Sequence, residues 1–258
     1  MARILIIVRI ASHAARKDDG LSCNFQKAGY IQMLSSLFRE FKNILIFDVE
    51  TTGFNPKIEE IIEIAMLKVS DDNGSAHISE QYGELVRLSE NRRLPAKITE
   101  LTGITEKQLQ EEGLPKKDVC DKISDMLSCE TPLVIAYNAQ FDLCFLYYFL
   151  YQFGKADLLK NVKMLDAMTV FKDRRPYPHK LIDAATAYGL SLENAHRALD
   201  DTRVTFEILC EMAKETDDLQ KYINLFGYNP KYGVSGVKIS SVKYKPQGFD
   251  AAAKLYES

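Results

Sequence analysis

What the sequence lacks narrows the field first. None of its cysteines stand in a CxxC spacing: Cys23, Cys120, Cys129, Cys144 and Cys210 are odd in number and far apart. Such a set reads as free thiols in a reducing compartment, neither a disulfide framework nor a zinc site. A large excess of one charge is also missing. Lys and Arg number 33 against 36 Asp and Glu, for a net charge of −3. That excludes a broadly basic, histone-like binder. It leaves room for a nucleic-acid enzyme, because a metal site needs carboxylates and a groove needs only a local basic patch. Long apolar runs are absent as well. The run at Ile4 to Val8 is interrupted by Arg9 and has no small-residue cleavage pattern, which makes it a poor signal peptide. The apolar segment from Phe141 to Phe153 carries Asp142 and Gln152 and is shorter than the about 20 residues a bilayer span requires. No membrane association and a cytoplasmic location are expected. There is no internal repeat and no low-complexity tract. What remains is 258 residues of ordinary globular composition, 46% hydrophobic and 27% charged, enough for one sizeable core with extensions or for two small domains.

Residues 1–42 read as an N-terminal extension. They hold a short apolar stretch, a polar one, and a helical pattern placing Ile31, Leu34, Phe38 and Phe41 on one face. Met33, near the start of the better-patterned region, is a candidate internal translation start. From Asn43 the pattern becomes α/β. Ile44 to Val49 is a continuous apolar strand of the kind buried on both faces; Ile61 to Val69 and Gly83 to Leu88 read as the next two strands. Helical patterns follow over Pro95 to Leu101 and Lys116 to Leu127. Leu133 to Tyr137 is a second buried strand that feeds an apolar helix starting near Phe141. Val162 to Leu165 reads as a short strand, with helices around Lys180 to Tyr188 and Asp200 to Ala213. Three neighbouring strands followed by strand–helix alternation predict an α/β fold with a mixed central sheet and helices on both faces. Residues 43–227 form the predicted domain, and 228–258, without clear periodicity, an irregular tail.

Three short motifs carry chemistry. In Phe47-Asp48-Val49-Glu50-Thr51-Thr52-Gly53, Asp48 and Glu50 lie two apart at the end of an apolar strand and so share a face. Two carboxylates so placed repel unless a cation neutralises them, and no protein cation is expected beside them. Oxygen-only ligation suits Mg²⁺ or Mn²⁺. In Tyr137-Asn138-Ala139-Gln140-Phe141-Asp142, a strand ends, the chain turns, and Asp142 sits in the first turn of the next helix, where the helix dipole favours an anion. In His196-Arg197-Ala198-Leu199-Asp200-Asp201-Thr202, His196 and Asp201 converge only if His196 is on the loop before the helix and Asp201 is in its first turns. Taken singly, each motif reads as well as a solvated turn or a helix start.

Taken together, and in this order, they resemble the DEDD exonuclease superfamily (DnaQ-like), specifically its branch with a catalytic histidine. That branch includes the proofreading epsilon subunit of bacterial DNA polymerase III and the exonuclease domain of the Gram-positive replicative polymerase. The resemblance runs from about Asn43 to Glu215 and includes the intervening LPAKITELTGIT. It implies an RNase H-like fold and a 3′→5′ exonuclease that releases nucleoside monophosphates with two divalent metal ions, Mg²⁺ or Mn²⁺. It implies that Asp48, Glu50, Asp142 and Asp201 bind the metals, that His196 is the general base, and that Thr51 and Phe141 contact the terminal nucleotide. Two metals in such sites lie about 3.5–4 Å apart, and imidazole ordinarily titrates near neutrality, as a base at that pH should. The other branch has a tyrosine four residues before the last aspartate; here that position is Arg197. Asp200 is read as solvated.

Basic residues that could hold a phosphate backbone are Lys172, Arg174, Arg175 and Lys180, the pair Arg92-Arg93, and a tail that interleaves Tyr228, Lys231, Tyr232, Lys238, Lys243, Tyr244 and Lys245. Each serves equally as solvated loop or packing. The expected partner is nucleic acid, DNA in preference to RNA, together with a separate polymerase subunit if the role is proofreading. Motifs do not separate DNA from RNA, because that choice rests on how the 2′-OH is met. A non-catalytic adaptor on the same fold is the reading from another class, and the intact acids and histidine count against it. All motif residues lie between Asp48 and Asp201, so residues 43–227 are expected to keep basal activity on short strands.

Overall fold

The computed structural model describes residues 34–72, 74–192 and 196–257. The expectations for Cys23, Ile31 and Met33 lie outside the described residues. The first element among the described residues is α1 (Ser35–Phe38), which runs into β1 (Asn43–Thr51), β2 (Ile61–Asp72) and β3 (Ser75–Leu85). Three helices follow, α2 (Ala96–Thr102), α3 (Glu106–Glu111) and α4 (Lys116–Leu127), then β4 (Pro132–Ala136), α5 (Ala139–Tyr151), β5 (Lys163–Asp166), α6 (Ala167–Arg174), α7 (Leu181–Ala187) and α8 (Ala198–Glu215). The chain closes on β6 (Leu225–Tyr228) and β7 (Lys243–Pro246).

The main sheet has the order β3-β2-β1-β4-β5. β1, β2 and β3 form an antiparallel meander, whereas β4 and β5 join parallel to β1. It is therefore the mixed sheet expected from the sequence. Alternation along β1 divides the interior. Ile44 and Ile46 turn towards Val204, Ile208 and Met212 of α8, Phe171 of α6 and Ala184 of α7. Leu45, Phe47 and Val49 turn towards Val119 and Ile123 of α4 and Phe145 and Phe149 of α5. Helices thus cover both faces, which explains why β1 and β4 read as continuous apolar runs.

The flanking segments are less separate than their patterns suggest. Leu34, Leu37 and Phe41 are buried in the same core as α8, and the Ser35 hydroxyl donates to Asp217 at 2.6 Å. The segment expected to be an irregular tail carries β7, paired parallel to β6, and buries Val242 and Leu255. Tyr244 donates its hydroxyl to the Gln140 side chain at 2.6 Å. Strand β7 escapes a pattern reading because Lys, Tyr and Pro at the edge of a two-stranded ladder give no apolar alternation. A chain ending at Gly227 should therefore lose about 4 kcal/mol or more from uncovering these side chains and melt roughly 10 °C below the full chain. Thermal unfolding of the two chains by circular dichroism checks this. Coincident melting curves would show that residues 228–258 add nothing to the core.

Candidate active site

The site forms where β1 outruns its neighbour. β1 pairs with β4 only from Asn43 to Ile46, but continues along β2 to Thr51, with a bulge between Glu50 and Thr51. The end of β1 that carries Asp48 and Glu50 therefore stands clear of β4, and its backbone is open to other partners. Asp142 takes one of them: its carboxylate accepts from the Val49 N–H at 3.3 Å. α5 reaches this point through Asn138, which is left-handed at φ 69° and ψ 46°, a conformation that asparagine tolerates better than most residues. Asp166, at the end of β5, holds that turn. Its Oδ1 accepts from the N–H groups of Asn138 at 2.9 Å, Ala139 at 3.1 Å and Met168 at 3.2 Å, so one buried carboxylate serves the starts of α5 and α6.

α8 packs on the face of β1 that carries Asp48 and Glu50, with Asp201 in its first turn. His196 precedes the helix in a left-handed conformation, φ 67°, and its side chain is exposed. One ligand atom each from Glu50, His196 and Asp201 lie within 4.8 Å of one another. The acids crowd together. Burial first, and then the charges of Asp142, Asp201, Glu50 and Glu63, hold Asp48 well above the usual carboxylate range. Burial and the charges of Asp201 and Glu63 push Glu50 up to about 8, against the opposing pull of Arg197. Burial also raises Asp142, despite the Val49 hydrogen bond. Asp201 is pushed up to about 7, by burial first and by Asp200 and Glu63, against the His196 backbone.

These shifts set a sign for stability. Each carboxylic acid whose pKa is raised on folding favours the fold at low pH and loses that contribution as the pH rises from its unfolded value, about 4, through its folded one. For Asp201 and Glu50 the window closes at about 7 and about 8. One pH unit of displacement corresponds to about 1.4 kcal/mol, and the groups share their repulsions, so their contributions overlap. The metal-free protein should therefore be about 3 kcal/mol less stable at pH 8.5 than at pH 5, and Asp201→Asn should recover part of that loss at the higher pH. Urea titrations of both proteins in chelator measure it. A metal-free parent more stable at pH 8.5 than at pH 5 would show that burial and mutual repulsion do not raise these acids.

The donor set fits a divalent cation. Asp201 Oδ1 is buried and has no hydrogen-bond partner, a costly state for a carboxylate oxygen unless a ligand meets it. It faces a cluster of further carboxylates whose repulsion a cation would relieve. The side chains expected to contact substrate lie close by. Thr51 is buried and its hydroxyl donates to the Gly53 carbonyl at 2.7 Å. Phe141 is half-buried against Phe145, with ring centroids 4.8 Å apart. Its other neighbour is Phe54, at 6.4 Å and edge-on; Phe54 is 88% exposed. Phe54 was not among the residues expected from the sequence, although an aromatic residue directly after Thr-Thr-Gly was a visible signal.

Other expectations change. The four arginines suggested for the phosphate backbone are already paired. Arg174 is buried against Asp218 and the Met212 and Thr216 carbonyls, Arg175 pairs with Glu215 at 2.8 Å, and Arg93 pairs with Glu106. Arg92 lies 3.5 Å from Glu60. Asp200, expected to be solvated, is half-buried. Arg197 is a protein cation beside the acids, where none was expected, and its guanidinium binds Glu63 at 2.9 Å. Glu63 was also missed; the signal was a single acid inside the otherwise apolar run Ile61-Ile62-Glu63-Ile64-Ala65. The four described cysteines are free thiols, and among the described residues no helix is long and apolar enough to cross a membrane.

The family model described as Exonuclease matches residues 45–209. Over 193 residues, 73% of its length, the chain is 36% identical to the PolC-type DNA polymerase III of Clostridium perfringens, and it spans 12% of that protein. It is 31% identical over 183 residues to the 3′-5′ exonuclease DinG of Bacillus subtilis, covering 69% of this chain and 18% of DinG. Among solved structures, the zinc-ion-bound form of the E. coli ExoI–ssDNA complex superposes with a TM-score of 0.64 at 17% identity, over 70% of this chain and 42% of that one. The likeness to ExoI concerns the fold, a mixed α/β architecture of the RNase H-like kind.

Proposed function

The chain belongs to the Exonuclease family, and from that premise we propose that it is a metal-dependent 3′→5′ exonuclease acting on DNA. The domain within residues 43–227 carries the site, flanked by the extension 1–42 and the tail 228–258. Asp48, Glu50, Asp142 and Asp201 hold two divalent cations, Mg²⁺ or Mn²⁺, which suit an all-carboxylate oxygen set. Bound there, the cations supply charge stabilisation for the attacking and leaving oxygens of an in-line displacement at phosphorus. His196, exposed at the mouth of the cluster, takes the proton from the attacking water. The water oxygen bonds to phosphorus as the bond to the 3′ oxygen of the preceding nucleotide breaks; that oxygen takes a proton from solvent to become the new 3′ hydroxyl, and a nucleoside 5′-monophosphate leaves. Thr51 and Phe141 seat the terminal nucleotide, with the exposed Phe54 ring completing an aromatic edge for a base.

The observation that carries this reading is the unpartnered Asp201 Oδ1, buried in a cluster whose acids all lie above their usual range. The setting is the cytoplasm, and the partners are nucleic acid and, for a proofreading role, a separate polymerase. PolC-type relatives support the polymerase link. End-labelled DNA and RNA, single- and double-stranded, incubated with Mg²⁺ or with chelator, form the direct test. Metal-dependent shortening of single-stranded DNA from the 3′ end is the expected result. Faster shortening of RNA would move the assignment to RNA ends, and no shortening of any substrate would overturn it.

A further inference from the structure

Glu63 stands directly opposite Glu50 in the β1–β2 register. Like charges across a strand pair destabilise it, and here the pair adds to a cluster already crowded with acids. Glu63 is 5% exposed. Its carboxylate is nevertheless fully engaged by the segment that carries His196. Arg197 donates from Nε at 3.1 Å and from Nη2 at 2.9 Å to Glu63 Oε1, and the Ala198 N–H donates to Oε2 at 3.0 Å.

That last contact matters because α8 starts without a cap of its own. Arg197 occupies the N-cap position and makes no side-chain cap hydrogen bond, so the first N–H groups of the helix need acceptors from elsewhere. Glu63 provides one from another strand. The residue before Arg197 is His196, held in a left-handed backbone conformation that costs a non-glycine residue about 1–2 kcal/mol and persists only where its surroundings enforce it.

We propose that Glu63 and Arg197 are positioning residues: their two-pronged ion pair, with the Glu63–Ala198 cap, clamps the start of α8 to β2 and fixes His196 over the carboxylate cluster. The assignment of His196 as the base rests on the exonuclease reading; the clamp itself does not. The clamp depends on geometry as well as charge. A guanidinium engages a carboxylate through two nitrogens in one plane, which a lysine ammonium cannot reproduce.

Two measurements on the full chain test the proposal. The first needs no activity: amide hydrogen exchange in Glu63→Gln and Arg197→Lys. Exchange at Ala198 should accelerate about tenfold or more, while amides in β1 and the middle of α8 keep the parental rate. Unchanged exchange at Ala198 in Glu63→Gln would overturn the clamp, as would an Arg197→Lys protein that matches the parent at Ala198. The second is a double-mutant cycle with His196→Ala. Glu63→Gln alone should lower kcat about 10- to 100-fold and leave KM within about threefold. In the His196→Ala background the same change should cost less than about threefold, because residues acting as one unit are not additive. Equal losses in both backgrounds would show that Glu63 does not act through His196. A parent without nuclease activity would remove the exonuclease reading, and the exchange data would still decide the clamp.

Discussion

Chelation should bring nucleotide release to background, about a thousandfold or more below the rate in Mg²⁺, since the bound cations are asked for several kcal/mol of charge stabilisation. The reason lies in the acids themselves. Without a cation, burial and mutual repulsion hold Asp48, Glu50, Asp142 and Asp201 above the usual carboxylate range, so each gives up its proton less readily. A protonated carboxylic acid offers the developing charge at phosphorus far less than a cation does. Arg197 does not substitute, because its guanidinium is committed to Glu63. Mg²⁺ or Mn²⁺ added back should restore release of mononucleotides from 3′ ends. The check is a gel assay of 5′-labelled single-stranded DNA with and without EDTA. Activity that survives EDTA, or processive release from the 5′ end, would sink the assignment.

The second large effect separates the base from the ligands. His196→Ala should slow turnover by about 10²–10⁴ near neutral pH, the usual contribution of a general base, and leave metal affinity within a few-fold of the parent. Asp201→Asn should lose both turnover and metal affinity, since it removes charge from the oxygen cluster. The rate of the parent should also fall towards low pH, as protons compete with the cations for the carboxylates. Geometry makes the test a sharp one. A ring nitrogen of His196 lies as near to Glu50 and Asp201 as a shared ligand would, within 4.8 Å. Calorimetric titration of Mn²⁺ into both variants resolves the roles. If His196→Ala loses metal as severely as Asp201→Asn, His196 is a ligand and the base must be sought elsewhere.

Much of this site was legible from residue order. A continuous apolar strand ending in Asp48 and Glu50 places both side chains on one face whatever the fold around them. The requirement that His196 precede its helix while Asp201 opens it follows from 100° per residue, and the chain is arranged so. The helix over Lys116–Leu127 was read to the residue, because its buried positions keep a 3.6-residue period. α6 was invisible because it follows β5 with no loop and its last turn carries Lys172 and Arg174. Those charges suggest a solvated loop, yet Arg174 is buried against Asp218. Contacts of that kind join residues some 40 apart, and no local pattern encodes them. The same holds for Glu63, whose meaning depends on Arg197 lying 134 positions away.

The overhang of β1 beyond β4 has a consequence for the newly made chain. In chain order the two strand-borne acids come first, Asp142 follows about 90 residues later, and His196 and Asp201 later still; synthesis adds about 5–20 residues per second. Until α8 has emerged and packed, the acids on β1 lack their partners. The carboxylate cluster is therefore completed only together with the folded state.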